Sequence, residues 1–150
     1  MPQSLAYNYI HLVFSTKYRE PTIPASVEPH LYVHIAAICL RLDSHALAIG
    51  GMPDHIHILL SLSKKHALVT LVQEIKKVSS LWMKEQPGVS PDFYWQNGYG
   101  AFSVSPRHVE RVKRYIDRQK IHHAATTFQD EYIGFLKDYN ADCNEHYLWD

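Results

Sequence analysis

Cysteine is scarce in this chain. Only Cys39 and Cys143 occur in 150 residues, far apart and with no CxxC partner. That excludes a disulfide framework and a zinc ribbon, and it fits a reduced setting inside a cell. Net charge is also missing, because fifteen Lys and Arg are cancelled by fifteen Asp and Glu. A uniformly basic nucleic-acid binder is therefore excluded, although a local basic patch is not. No apolar run approaches the length of a membrane span. The opening Met1-Pro2-Gln3-Ser4 has no basic stretch leading into an apolar one, so nothing there reads as a secretion signal. There is no internal repeat and no low-complexity tract. The expectation is one domain over residues 1–150, cytoplasmic, with residues 140–150 as a C-terminal tail that packs through Tyr147, Leu148 and Trp149.

What the chain does have is periodicity. Residues 7–16 alternate, with Asn8, Ile10, Leu12 and Phe14 on one side and Tyr7, Tyr9, His11 and Val13 on the other, which predicts a strand. Helix-spaced Leu31, Ile35, Ile38 and Leu42 predict a helix over 27–42. Residues 45–49 and 55–62 read as a hairpin turned through Gly50, Gly51 and Pro53. A second amphipathic helix covers 67–86. Two short strands, 93–96 and 101–104, are expected to be joined by a hairpin at Asn97-Gly98. Ser105 and Pro106 open a third helix running to about residue 122, and a last helix spans 128–139. Hairpins alternating with helices predict an α+β fold, an antiparallel sheet with helices packed against it.

Histidine is the abundant polar type, eleven in all, and two of them form His55-Ile56-His57. On a strand, Ile56, Ile58 and Leu60 face one way and the two imidazoles the other. Such a pair is a start for a divalent metal site. Ordinary polar-face histidines bonded to backbone or water have the same spacing. In the third helix, Tyr115 and Gln119 are four residues apart and share a face, at the edge of a stripe made by Val109, Val112 and Ile116. Arg107, Arg111, Arg114 and Arg118 run beside Tyr115. Guanidinium groups around a phenol suit a phosphate. The same arginines, with Glu110 and Asp117, also describe a plain solvated helix face.

Taken together, the segments resemble the HUH single-tyrosine transposases of small bacterial insertion sequences, including relatives associated with repetitive palindromic sequences. The stretches that carry the likeness are His11 to Arg19, Gly51 to Leu60, Trp95 to Ser105, and Tyr115 with Gln119. The resemblance implies a ferredoxin-like sheet with the histidines on a central strand. It makes Tyr115 the nucleophile and His55, His57 and Gln119 the metal ligands; by helical phase, four residues beyond Gln119, His123 is a reserve candidate for the third ligand position. It implies Mg2+ or Mn2+, a ligand set without thiolate being hard enough for either. The partners implied are single-stranded DNA carrying hairpins and a second copy of the chain, whose active sites can be shared between subunits. The implied reaction cleaves and rejoins single-stranded DNA through a 5′-phosphotyrosine link. A replication-type or domesticated nickase, a non-catalytic hairpin-binding module and a water-using metal hydrolase are the alternatives. Candidate DNA contacts are Lys17 and Arg19, Lys76 and Lys77 with Ser79 and Ser80, and the four arginines. Tyr99, Phe102 or Trp95 are candidates to stack on bases. With zero net charge, DNA binding should show the salt dependence of only a few phosphates.

Overall fold

The computed structural model describes residues 3–122 and 127–138. Strands β1 (Asn8–Ser15), β2 (His45–Met52), β3 (His55–Leu62) and β4 (Gly100–Val104) form one antiparallel sheet in the order β2-β3-β1-β4. Helix α1 (Glu28–Arg41) connects β1 to β2, and α2 (Leu68–Lys84) connects β3 to β4. This βαββαβ order, with β1 and β3 central, is the ferredoxin-like arrangement expected.

Alternation decides which face does what. Ile10, Leu12 and Phe14 on β1 and Ile56, Ile58 and Leu60 on β3 meet Leu31, Ile35 and Ile38 of α1 and Leu71, Val72 and Ile75 of α2 in the main core. The opposite face carries His11, Val13, His55, His57 and Leu59. It is covered by α3 (Val109–Asp117) and α5 (Phe128–Asp138) through two smaller apolar clusters, and the short α4 (Gln119–His122) adds the buried Gln119. The sheet thus has one face for stability and one for chemistry.

Three local expectations differ from what forms. Gly50 and Gly51 lie inside β2, paired with His57 and Ile56, and the turn is made by Pro53 and Asp54 alone. The third helix is not continuous. It starts with a 3-10 turn at Pro106–His108, where the Ser105 hydroxyl accepts from the Arg107 N–H, and it breaks at Arg118 (φ −103°, ψ 18°). Finally, no hairpin forms at Asn97-Gly98. Trp95 bridges Thr16 and Gly100 pairs with Val13, so residues 95–104 run along one edge of β1 with an outward loop between. The Asn97-Gly98 signal marks a loop and not a chain reversal, because both flanking segments pair antiparallel with the same edge of β1.

Lys76 holds that detour. Its Nζ donates to the carbonyls of Gln96, Asn97 and Gly98 at 2.8, 3.3 and 2.6 Å. Burial pulls its pKa down to about 8. An ammonium with three donors and three acceptors has none left for a phosphate. Ser79 is fully buried and accepts from the Trp95 indole at 2.9 Å. Ser80, Trp95 and Phe102 are buried as well. Ser79 and Ser80 lie on the core-facing side of α2, Trp95 packs in the main core, and Phe102 packs on the other face of the sheet with Val13 and Phe128. Lys77 stays exposed, but across the sheet from His55 and His57. Lys76→Met should therefore cost about 1–2 kcal/mol of stability. In a chain this size that is roughly 2–8 °C of melting temperature. It should leave the slope of log affinity for DNA against log salt unchanged, whereas loss of a true phosphate contact would lower it by about 0.7–0.9. Melting curves and a salt titration check both.

Candidate active site

The imidazoles of His55 and His57 are fully buried on the central strand β3. Each has one ring nitrogen engaged by a neighbour. His55 Nδ1 lies 2.7 Å from the Asp54 carboxylate, and His57 Nδ1 lies 2.8 Å from His11 Nε2. The two Nε2 atoms are left to converge. His55 Nε2 is 3.3 Å from Gln119 Oε1 and 3.8 Å from Glu131 Oε1, while His57 Nε2 is 2.8 Å from Glu131 Oε1. Ligands about 2.1 Å from one ion in octahedral geometry stand about 3 Å apart, so these separations suit neighbouring positions around a small divalent cation. One ligand atom from each of His55, His57 and Glu131 lies within 4.8 Å of the others. Two imidazole nitrogens, an amide oxygen and a carboxylate make a donor set that fits a hard or borderline ion. Engaged second nitrogens are what hold metal-binding histidines in a fixed orientation.

Helix α3 brings Tyr115 to the same place. Its ring centroid is 5.8 Å from that of His57 and 5.1 Å from that of His122. Gly50 permits this. A Cβ there would sit 2.4 Å from the Ile116 carbonyl oxygen, so only glycine lets the helix backbone lie on the sheet opposite His57. The break at Arg118 then turns Gln119 inward and Lys120 outward. Lys120 Nζ bonds both Glu28 carboxylate oxygens at 2.7 and 2.8 Å and the Gly51 carbonyl at 2.6 Å, pinning α4 to α1 and β2. Beside Tyr115 opens a cavity of about 380 Å³ lined by Arg111, Arg114, Arg118, Ile121 and His122. Arg107 is exposed nearer the start of the helix and does not line it. Lys17 and Arg19 form a short 3-10 turn just after β1, where Tyr18 and Arg19 adopt positive φ of 56° and 58°. Non-glycine residues pay for such a conformation, and it tends to persist near functional sites.

Residues 4–119 match the family described as "Transposase IS200 like". This chain belongs to the IS200-like transposases. It is 25% identical over 114 residues to the ISDra2 transposase TnpA of Deinococcus radiodurans, covering 73% of this chain and 81% of that protein. Two solved structures share the fold. One is a putative transposase from Deinococcus radiodurans, with a TM-score of 0.60, 24% identity and coverage of 77% of this chain and 93% of the other. The second is a REP-associated tyrosine transposase bound to a REP hairpin, with a TM-score of 0.61, 14% identity and coverage of 83% and 74%.

Within this IS200-like transposase, Glu131 is the site residue that sequence reasoning missed. It comes from α5, and it bonds His57 Nε2 and also His122 Nε2, the latter at 3.0 Å. A signal existed. Glu131 stands three residues after Phe128 and one before Tyr132, so it is an acid set into an apolar helical stripe. His122 lines the arginine cavity, partly exposed, with its Nε2 3.0 Å from Glu131 Oε2. His123 lies outside the described residues, as do residues 140–150.

The protein's own groups act against ionisation of the phenol, raising the Tyr115 pKa well above its ordinary value of 10.0. Burial is the largest cause, followed by the hydrogen bond to Glu131 and that carboxylate's charge. A hydrogen bond from Gln119 acts in the other direction. Burial and the Glu131 carboxylate thus favour the neutral phenol over the phenolate.

His11 gives this transposase a pH signature. Burial first, then the charge on His57, lower its pKa from 6.5 to about 3. A histidine whose folded pKa is depressed stabilises the fold above its unfolded value and loses that contribution as pH falls from 6.5 through about 3. His11→Gln, which removes the titrating group, should flatten the fall in stability across this window. Urea midpoints measured from pH 7 to pH 3.5 for both proteins check this.

Proposed function

We propose that this transposase cleaves and rejoins single-stranded DNA, with Tyr115 as nucleophile and His55, His57 and Gln119, joined by Glu131, holding Mg2+ or Mn2+. The observation that carries this reading is the convergence, in one chain, of a phenol with two imidazole Nε2 atoms of opposed second partners. A divalent cation bound there supplies Lewis-acid polarisation of the scissile phosphate.

The chain's own residues do the rest. Arg111, Arg114 and Arg118 orient phosphates in the cavity beside Tyr115. The Tyr115 oxygen attacks phosphorus along the line of the departing 3′-oxygen. Its proton has a ready acceptor in the Glu131 carboxylate, which already takes its hydrogen bond. The P–O3′ bond breaks and the departing oxygen takes up the proton that Glu131 received, leaving a 5′-phosphotyrosine and a free 3′-hydroxyl. That link keeps the phosphodiester energy, so a second 3′-hydroxyl can displace the tyrosine and rejoin strands with no nucleotide cofactor. Hairpins at element ends are the proposed recognition feature. Lys17, Arg19, Lys77 and Arg107 are the remaining proposed phosphate contacts. A homodimer remains part of the reading, but the nucleophile and the histidine pair already meet within one subunit.

The test is a labelled single strand with a hairpin from the DNA flanking the gene, incubated with and without Mn2+ and run on a denaturing gel. A protein–DNA adduct that requires the cation, and that peptide mass analysis places on Tyr115, is expected. A mobility shift on a parallel native gel, with no adduct on the denaturing one, would make the protein a binding module. Cleavage without an adduct would make it a water-using hydrolase. Joining of two separate ends distinguishes a transposase from a nickase.

A further inference from the structure

We propose that His11 is a positioning residue for the metal centre: its Nε2 receives the Nδ1–H of His57 and so fixes His57 in the tautomer that offers Nε2 to a cation. The inference rests on the metal reading above and adds a residue to it.

The geometry is specific. His57 is held at both ring nitrogens, by His11 Nε2 at 2.8 Å and by Glu131 Oε1 at 2.8 Å. A neutral imidazole has one N–H and one lone pair. If the hydrogen is on Nε2, on the side of Glu131, that nitrogen has no lone pair to offer and cannot bind a metal. If it is on Nδ1, Nε2 is free to coordinate, but the buried N–H must find an acceptor. His11 is placed to be that acceptor. Sheet register puts it there. His11 pairs with Leu59 across β1 and β3, so it is the diagonal neighbour of His57 on the same face, within reach of a long side chain. Phe102 on β4 and Tyr115 on α3 pack against the His11 ring and keep it in place, at centroid distances of 6.4 and 6.3 Å.

The two ligands are therefore supported differently. His55 leans on a carboxylate from the adjacent residue, Asp54. His57 leans on another imidazole, which can accept or donate at the same nitrogen. That versatility lets one pair of rings serve both states. Without a cation, His11 donates to His57 Nδ1 and His57 carries its hydrogen on Nε2, 2.8 Å from Glu131 Oε1. With a cation, both hydrogens occupy Nδ1, and His57 donates to His11. No proton is gained or lost overall. Glutamine can do both jobs, because its amide reaches about as far as Nε2 and offers either an oxygen or an N–H. Leucine can do neither.

The test uses the full chain without DNA. Mn2+ affinity is measured by calorimetry for wild type, His11→Gln and His11→Leu, and melting temperature is recorded for each. The Leu variant should bind about 10–100-fold more weakly, the usual effect of removing such a partner, while Gln should stay within about threefold of wild type. Separately, 15N spectra of the wild-type imidazoles with Mg2+ should place the hydrogen on His57 Nδ1, with coupling across to His11 Nε2. A Leu variant that binds Mn2+ as wild type does would overturn the proposal, and so would a loaded His57 with no hydrogen on Nδ1. Should the Leu variant not fold, the wild-type spectrum decides. A wild type that binds no Mn2+ sinks the metal reading itself. Metal effects of the expected size in a protein that forms no DNA adduct leave His11's role standing and sink the transposition chemistry.

Discussion

Tyr115→Phe should abolish the covalent adduct and lower strand cleavage by at least about 10⁴-fold, while DNA affinity changes by less than about threefold. The magnitude follows from what is removed. A nucleophile has no substitute within its own helix, since the residues flanking Tyr115 are Arg114 and Ile116, and Ile116 is buried. Removing a nucleophile typically leaves only what binding and electrostatic stabilisation provide. Binding should survive because the three arginines of the adjoining cavity are untouched. Stability should hardly move. The lost hydroxyl donates to Glu131, but that carboxylate keeps His57 and His122 as partners.

The same variant addresses subunit sharing. Mixed with His57→Ala, it restores activity only if one copy's tyrosine serves the other copy's histidines. In this chain Tyr115 already lies beside its own His57, so the mixture is expected to stay inactive. Denaturing gels of the two variants, alone and mixed, give the answer. Persistence of the adduct in Tyr115→Phe would move the nucleophile elsewhere and take the proposed reaction with it.

Much of this architecture was legible in the sequence because it is written in period. Alternation on β1 and β3 separated the core face from the histidine face, and the helical spacings of α1 and α2 named the residues that cover the core. The placement of Tyr115 beside the histidines came from likeness to a family, not from spacing. What stayed illegible depends on contacts between distant segments. Glu131 enters the site only because α5 packs across Val13 and Phe102. Lys76 looked like a solvated cation until the loop at residues 96–98 supplied three carbonyls. Asn97-Gly98 carried a hairpin signal, and local turn preference lost to the free edge of β1. Gly50 looked like a turn residue, since nothing in a single sequence says that a helix from residues 109–117 must rest against it.

Gly50→Ala carries that last point furthest. The new methyl would meet the Ile116 carbonyl oxygen at 2.4 Å and the Ile116 side chain at 3.0 Å. Backbone cannot yield as a flexible side-chain end does, so α3 must lift from β2 or the sheet must bend. Overpacking of this kind costs about 1–3 kcal/mol. Function should suffer more than stability. Gly50 pairs with His57, and the displaced carbonyl belongs to the residue after Tyr115, so the shift falls on the distance between phenol and ligands. A misplacement of about 1 Å can cost about 10²-fold in rate. The expected result is a folded protein that binds DNA normally and forms adduct about 10²-fold more slowly. Gly134→Ala is the control, because a Cβ there meets nothing within 4 Å. On α5 it should leave the rate unchanged and, if anything, favour the helix. Single-turnover adduct formation for the two alanine variants separates them. Equal rates in both would mean that close approach of α3 to β2 does not set the position of Tyr115.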